Sequence, residues 1–337
     1  MLEVSPRGPQ GFYRPDSEIK AVWKWGGVGF MATVTDLKGY FYVGISAFFW
    51  GTLGLIATTM KSKGFSSFDI AFMRLFFGLT LLFLMICFSD KRKFKIDRKT
   101  LLFCLMMGVI NQGFFNIFYF SAIIRVGITT GVILLYTAPI FTMVFSRIIT
   151  KEKLTIKKFL SIIMAFTGCL LTVTGGNFQD FQGNIIGIIY GILAGISYGI
   201  LPVFNSRVVD KYHSDTIMFY SFFSGLLIIL PFIQIPQMLT VFSENRETIF
   251  IGVGLGFFPT IISHLFFIRS LKYLEPVKAS IAANFEVVVA ALTAFLIYHE
   301  KLEGLKLLGI LLVIGATIFP NLLLFSNLIG RVKKISL

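Results

Sequence analysis

The chain has 337 residues, 55% of them hydrophobic and 14% charged, with a net charge of +14 and a mean hydropathy of +0.81. A soluble domain carries about 25% charged residues, so this chain lacks the charge to coat a water-facing globule. The basic excess does not mark a nucleic-acid binder, because Lys and Arg fall in short gaps between apolar runs, where the positive-inside rule places them.

Residues 1–38 carry Pro6, Pro9, Pro15 and mixed charges but no apolar core of the kind that makes a signal peptide. A disordered cytoplasmic extension is expected there. Ten apolar runs follow, at 39–60, 68–88, 101–124, 128–148, 159–174, 185–208, 216–235, 249–271, 279–298 and 305–328. A helical crossing needs about 20 apolar residues, and these runs are continuous where a barrel strand would alternate. The fold class expected is all-α integral membrane with ten transmembrane helices.

Of the 31 Lys and Arg, 24 lie in segments on one side of such a ten-span chain and six on the other. Arg74, inside span 2, is the remaining one. That bias puts both termini in the cytoplasm. Cys87, Cys104 and Cys169 sit singly inside apolar runs, which reads as packing; no metal site, disulfide or cofactor is expected.

The two halves repeat at a shift of about 148 residues. The run 47–56 faces 195–204, setting Trp50 against Tyr198 and Gly51 against Gly199, and Glu152–Lys153 matches Glu300–Lys301. The run 69–78 meets 215–224 with Asp69 against Asp215. Five spans per half is an odd number, so the second half must enter the membrane upside down. Inverted repeats of this kind recur in secondary transporters, with the substrate near the midplane between them.

Ala47-x-x-Trp50-Gly51 in span 1, Phe68-x-x-Ala71-Phe72-Met73-Arg74 in span 2, Pro139 in span 4 and the Glu-Lys pairs after spans 4 and 9 resemble the EamA-type drug/metabolite transporters. The resemblance covers about 39–326. It implies two inverted five-helix EamA repeats, here 39–174 (spans 1–5) and 183–328 (spans 6–10), with 329–337 a basic cytoplasmic tail. It also implies a carrier that exports amino acids, related small metabolites or drugs; the expected location is a bacterial plasma membrane. The chain departs from the family at Val287, which follows Glu286 where Pro is usual. Pro139 is an expected bend in span 4; span 9 lacks that reason to bend.

Several residues stand out as candidates for chemistry. Glu286 and Arg74 are the ionisable groups deep inside spans, together with His264. A charge at the bilayer centre costs at least about 2.5–3.5 kcal/mol and calls for a partner or water. Glu286 lies on a face of small residues and could exchange a proton or bind a cation; it could equally form an ion pair with Arg74. Arg74 lies near the outer end of its span, within snorkelling reach of the interface, and reads as structural or gating. His264 shares its repeat position with Asn116. Those two, with Asn111, Gln112 and Asn284, are polar groups that could line a pathway or glue helices together. Trp50, Tyr198, Tyr119 and Tyr136 are candidate cavity walls. Gly183, Gly187, Gly191, Gly195 and Gly199 recur every four residues along span 6 and form one glycine face, either a sliding surface or a static seam; Pro202 is an expected kink. The sequence has no Walker loop, GxSxG or HExxH. The expectation is a non-enzymatic secondary transporter, working by alternating access on a small-molecule substrate in a lipid bilayer, with protons as a candidate coupling ion. Rival readings are a channel, a receptor-like module or a lipid-acting membrane enzyme.

Overall fold

The computed structural model describes residues 34–177, 184–302 and 304–321. Residues 1–33, Gly183 and the 329–337 tail, named above, lie outside the described residues. Among the described residues there are helices and no strands. The membrane helices are α1 (Asp36–Ser62), α2 (Ser67–Ser89), α3 (98–126), α4 (128–150), α5 (Ile156–Thr174), α6 (Ile185–Val208), α7 (Ser214–Phe232), α8 (Thr248–Ser270), α9 (Pro276–Ile297) and α10 (Leu305–Ile318). The boundary between α3 and α4 is a single residue, Gly127, at φ 80° and ψ 166°. Only glycine adopts that backbone without strain, and the chain reverses there, so that Gly131 packs back on Ile123.

Short polar residues start the helices where the chain re-enters the membrane. Ser66 and Asp69 form a capping box on α2, Asp97 accepts from the Thr100 amide at 3.0 Å, and Asn184 accepts from the Gly187 amide at 2.9 Å. Each satisfies an amide that a helix leaves orphaned at its first turn. Large apolar side chains such as Phe88, Ile124, Phe250 and Leu296 point outward and are mostly exposed, forming the apolar belt a bilayer covers.

The helices pack in pairs that survive exchange of the two halves. Helix α1 lies against α8 and α9 as α6 lies against α3 and α4; α2 meets α8 as α7 meets α3; α2·α7, α4·α9 and α5·α10 map onto themselves. The backbone irregularities repeat as well. A π turn occupies Val109–Phe114 in α3 and Phe257–Ile262 in α8, the same 148-residue shift. Lys151 and His299 end α4 and α9 in the left-handed conformation, at φ 55° and 54°.

Three expectations need correction. The seventh apolar run ends at Phe232, and 235 belongs to a separate surface helix, Ile235–Glu244, that opens with Pro236. Helix α9 breaks at Asn284 as α4 breaks at Tyr136–Thr137. These breaks are again 148 residues apart and both precede position 139 or its equivalent, so Pro139 follows the bend and Val287 does not prevent its twin. Helix α6 runs unbroken through Pro202.

Candidate functional site

The centre of the bundle is built around the repeat axis. Trp50 on α1 and Tyr198 on α6, equivalent by the repeat, meet edge to face with ring centroids 6.2 Å apart. Trp50 also packs edge-on against His264 at 5.3 Å, and Tyr198 stacks on Phe115 at 5.5 Å, which stacks on Tyr119 at 5.6 Å. Small residues let the helices come this close. A Cβ on Gly199 would sit 2.5 Å from the Ala138 carbonyl oxygen, and one on Gly51 would sit 2.7 Å from the Glu286 carbonyl oxygen. Ala138 and Glu286 are thus the same place in the two halves, carrying a methyl group in one and a carboxylate in the other.

Arg74 does not snorkel. It is partly buried, and its Nη2 donates to Gln112 Oε1 at 3.2 Å across the α2–α3 contact. The Gln112 amide nitrogen then donates to His264 Nε2 at 3.0 Å, and His264 Nδ1 donates to the Thr260 carbonyl at 2.9 Å. Because Arg74 can only donate, every later bond in the chain has a fixed direction, and the imidazole is neutral with its proton on Nδ1. Asn116, the repeat partner of His264, makes the equivalent bond back to the Gln112 carbonyl. Both residues bond to their own helix beside a π turn.

The expected Arg74–Glu286 ion pair is not formed. Among the described residues neither side chain has an ion pair of any kind, and the buried Arg74 Nε has no hydrogen-bond partner. Tyr198 lies within electrostatic range of both charges, and Tyr119 and Tyr136 lie within range of Glu286. The structure therefore brings Trp50, Tyr198, Tyr119, Tyr136, His264, Arg74 and Glu286 into one central region. Asn284 sits at the α9 break with its Nδ2 buried and unpartnered. A hole of about 10 Å³, lined by the polar Asn111, Gln112, Asn205 and His264 and by apolar side chains such as Leu201 and Phe222, has roughly the volume that one water needs.

Gly187, Gly191, Gly195 and Gly199 form a tight seam against 125–142 at the end of α3 and along α4. At Gly199 and Gly195 the neighbours are a backbone oxygen and the Thr137 hydroxyl, each within 2.6 Å of a built Cβ.

The two ends of the bundle are held differently. At the end carrying most of the Lys and Arg, the α2–α3 loop is tied to α7: Lys93 pairs with Asp215 at 2.7 Å, Thr216 donates to the Lys93 carbonyl at 2.6 Å, and Tyr220 donates to the Phe94 carbonyl at 2.8 Å. Asp97 accepts from Tyr212 and Lys211. The Tyr212 hydroxyl, with the Thr100 amide, holds the Asp97 carboxyl well below the usual range. Lys158 joins buried Glu152 at 2.7 Å to Glu275 at 2.9 Å, again across the halves; burial pushes the Glu152 carboxyl up. The repeat twin of that knot, Lys306–Glu300 at 3.3 Å, is exposed. At the opposite end Phe65, Ile70 and Met73 pack against Met238 and Phe242 of the surface helix, with Phe65 and Phe242 centroids 5.0 Å apart, and exposed Lys63–Glu247 is the cross-half ion pair. The Lys93–Asp215 and Lys158–Glu275 ties and the π turns were not foreseen from sequence. The shift of 148 linking both Glu–Lys pairs was the available signal for the knot.

An all-helical, twofold-repeated bundle with a polar centre defines a membrane transporter fold. The chain belongs to the EamA-like transporter family, whose model matches residues 37–174 and 185–322. It is similar to an uncharacterized transporter of Archaeoglobus fulgidus, 26% identical over 79% of this chain and 88% of that protein. It is also similar to the S-adenosylmethionine uptake transporter of Rickettsia prowazekii, 26% identical over 75% of this chain and 82% of the relative. A solved crystal structure superposes with a TM-score of 0.69 at 14% identity, covering 86% of this chain and 97% of the other, which supports the fold alone.

Proposed function

We propose that the protein is a secondary transporter that moves a small dipolar metabolite by alternating access between its two halves. The observation that carries this reading is the pair of ionisable side chains inside the membrane, Arg74 and Glu286, neither of which has an ion pair among the described residues. An uncompensated charge in a membrane protein is costly unless a ligand or water completes it. A substrate with a carboxylate and a cationic centre would complete both, with Trp50 and Tyr198 as apolar walls and cation-attracting faces. Amino acids belong to this chemical class. So does S-adenosylmethionine, the compound named for the Rickettsia relative.

Between substrates, Glu286 is the candidate to take up a proton, which would couple transport to a proton gradient. The matched breaks at Tyr136–Thr137 and Asn284 let the segments that follow them, at the inner end of α4 and the outer end of α9, change angle in equivalent ways. Net direction follows the combined gradients. We place both termini and the basic end in the cytoplasm, on the charge bias of the loops. The test is counterflow of radiolabelled amino acids and S-adenosylmethionine in proteoliposomes with and without an imposed pH gradient. Saturable flux lost in Glu286→Gln supports the proposal. Binding without flux identifies a receptor instead, and unsaturable flux a channel.

A further inference from the structure

Away from the centre, a cavity of about 340 Å³ opens at the basic end where α1, the α2–α3 loop, the start of α7 and the end of α8 meet. Lys93, Arg269 and Lys272 line it together with His213, Ser214 and Asp215. Arg269 is exposed and has no ion pair among the described residues, Lys93 is bound to Asp215, and Lys272 lies near Asp210. The rest of the wall is aromatic, Tyr42 and Tyr273 at 5.9 Å.

Helix α7 begins in this cavity without a cap. His213 supplies no capping hydrogen bond. The Thr216 and Ile217 amides bond back to the His213 carbonyl, and the amides of Ser214 and Asp215 have no partner among the described residues. A second observation is independent of the helix end: Ser214 is 6% exposed, lines the cavity, and its hydroxyl has no hydrogen-bond partner among the described residues. The contrast with α2 is instructive, since there Ser66 and Asp69 close the same helix end reciprocally.

We infer that this cavity is a binding site for a phosphate group. Two orphan amides and a hydroxyl at a helix N-terminus present donors to an anion, Arg269 supplies planar, multi-donor recognition, and Lys272 and Lys93 add point charges. A phosphate here competes with Asp215 for Lys93, so occupancy loosens the tie between the α2–α3 loop and α7. The phosphate can belong to an anionic lipid headgroup or to a soluble ion, and the site lies where either could reach it. The inference stands apart from the identity of the transported substrate.

The experiment measures binding to the full chain in neutral phosphatidylcholine nanodiscs, with inorganic phosphate in one arm and phosphatidylglycerol doped into the disc in the other. The double variant Arg269→Gln/Lys272→Gln is expected to bind at least about tenfold more weakly, with Ser214→Ala showing a smaller loss. Arg269→Lys in the otherwise native chain should retain only part of the affinity, because it keeps the charge and loses the planar donor set. Saturable binding in the phosphate arm assigns a soluble anion, and in the lipid arm a headgroup. Equal binding by the native chain and the double variant in both arms, or no binding by the native chain in either, overturns the inference.

Discussion

In the first half α4 carries Ala138 against Gly199; in the second, α9 carries Glu286 against Gly51. The surrounding backbone is nearly interchangeable: the π turns, the helix breaks and the left-handed helix ends all recur at a shift of 148. The central charge does not recur: Glu286 has no acidic twin. The ends are also tied differently, by Lys93–Asp215 at the basic end and by Phe65–Phe242 at the opposite one. The shared backbone gives the two halves the same mechanical options. The unshared side chains decide what the centre binds and which end is held more tightly at rest.

Removing the charge that distinguishes the halves should have the largest effect. Glu286→Gln is expected to cut transport by roughly 30- to 1,000-fold, the equivalent of about 2–4 kcal/mol for loss of one buried charged partner, in a proteoliposome flux assay. Arg74→Gln should follow with about a tenfold or greater loss. Arg74→Lys should recover only part of it, because the Gln112–His264 chain needs the guanidinium geometry. Restoring a side chain at the seam tests the shared backbone instead. Gly199→Leu would drive a Cβ into the Ala138 carbonyl and should lower stability by about 1–3 kcal/mol or more, read as a drop in melting temperature.

Smaller effects are expected at the ends. Asp215→Asn removes the polar tie at the basic end and should shift the populations of the two states by about 1 kcal/mol, since its partner is partly exposed. The corresponding apolar contact should be insensitive to salt, whereas the Lys93 tie should weaken as salt rises. Asp97 gives the smallest signal. Its carboxyl is depressed in the folded chain, so its contribution is complete above the ordinary carboxylate range near pH 4 and is lost as the pH falls below it. Acidification should therefore loosen the native loop more than the loop of Asp97→Asn, measured by protease cleavage within 89–97.

The repeat was legible because Trp50, Gly51 and Glu152 have recognisable partners at one shift. Glu286 and Arg74 were legible because ionisable groups in apolar runs are rare. The π turns were not, since Val109–Phe114 and Phe257–Ile262 share no composition that sets them apart from ordinary helix. The break at Asn284 was hidden for a related reason: it sits where Gly51 packs against the Glu286 carbonyl, a tertiary contact, and proline is not needed. Arg74 was misjudged because its depth was read from the span end, while Gln112 on α3 draws it inward. The seventh run was carried past Phe232 to 235 because the apolar start of the surface helix Ile235–Glu244 continues it.

The most direct test of alternating access is a pair of distances in one reconstituted protein, measured between spin labels at Lys91 and Asp210 at the basic end and at Ser62 and Ser243 at the opposite end. The account predicts two populations in which one distance lengthens as the other shortens, with Asp215→Asn favouring the state open at the basic end. Distances that stay fixed at both ends, or that lengthen together, would contradict it.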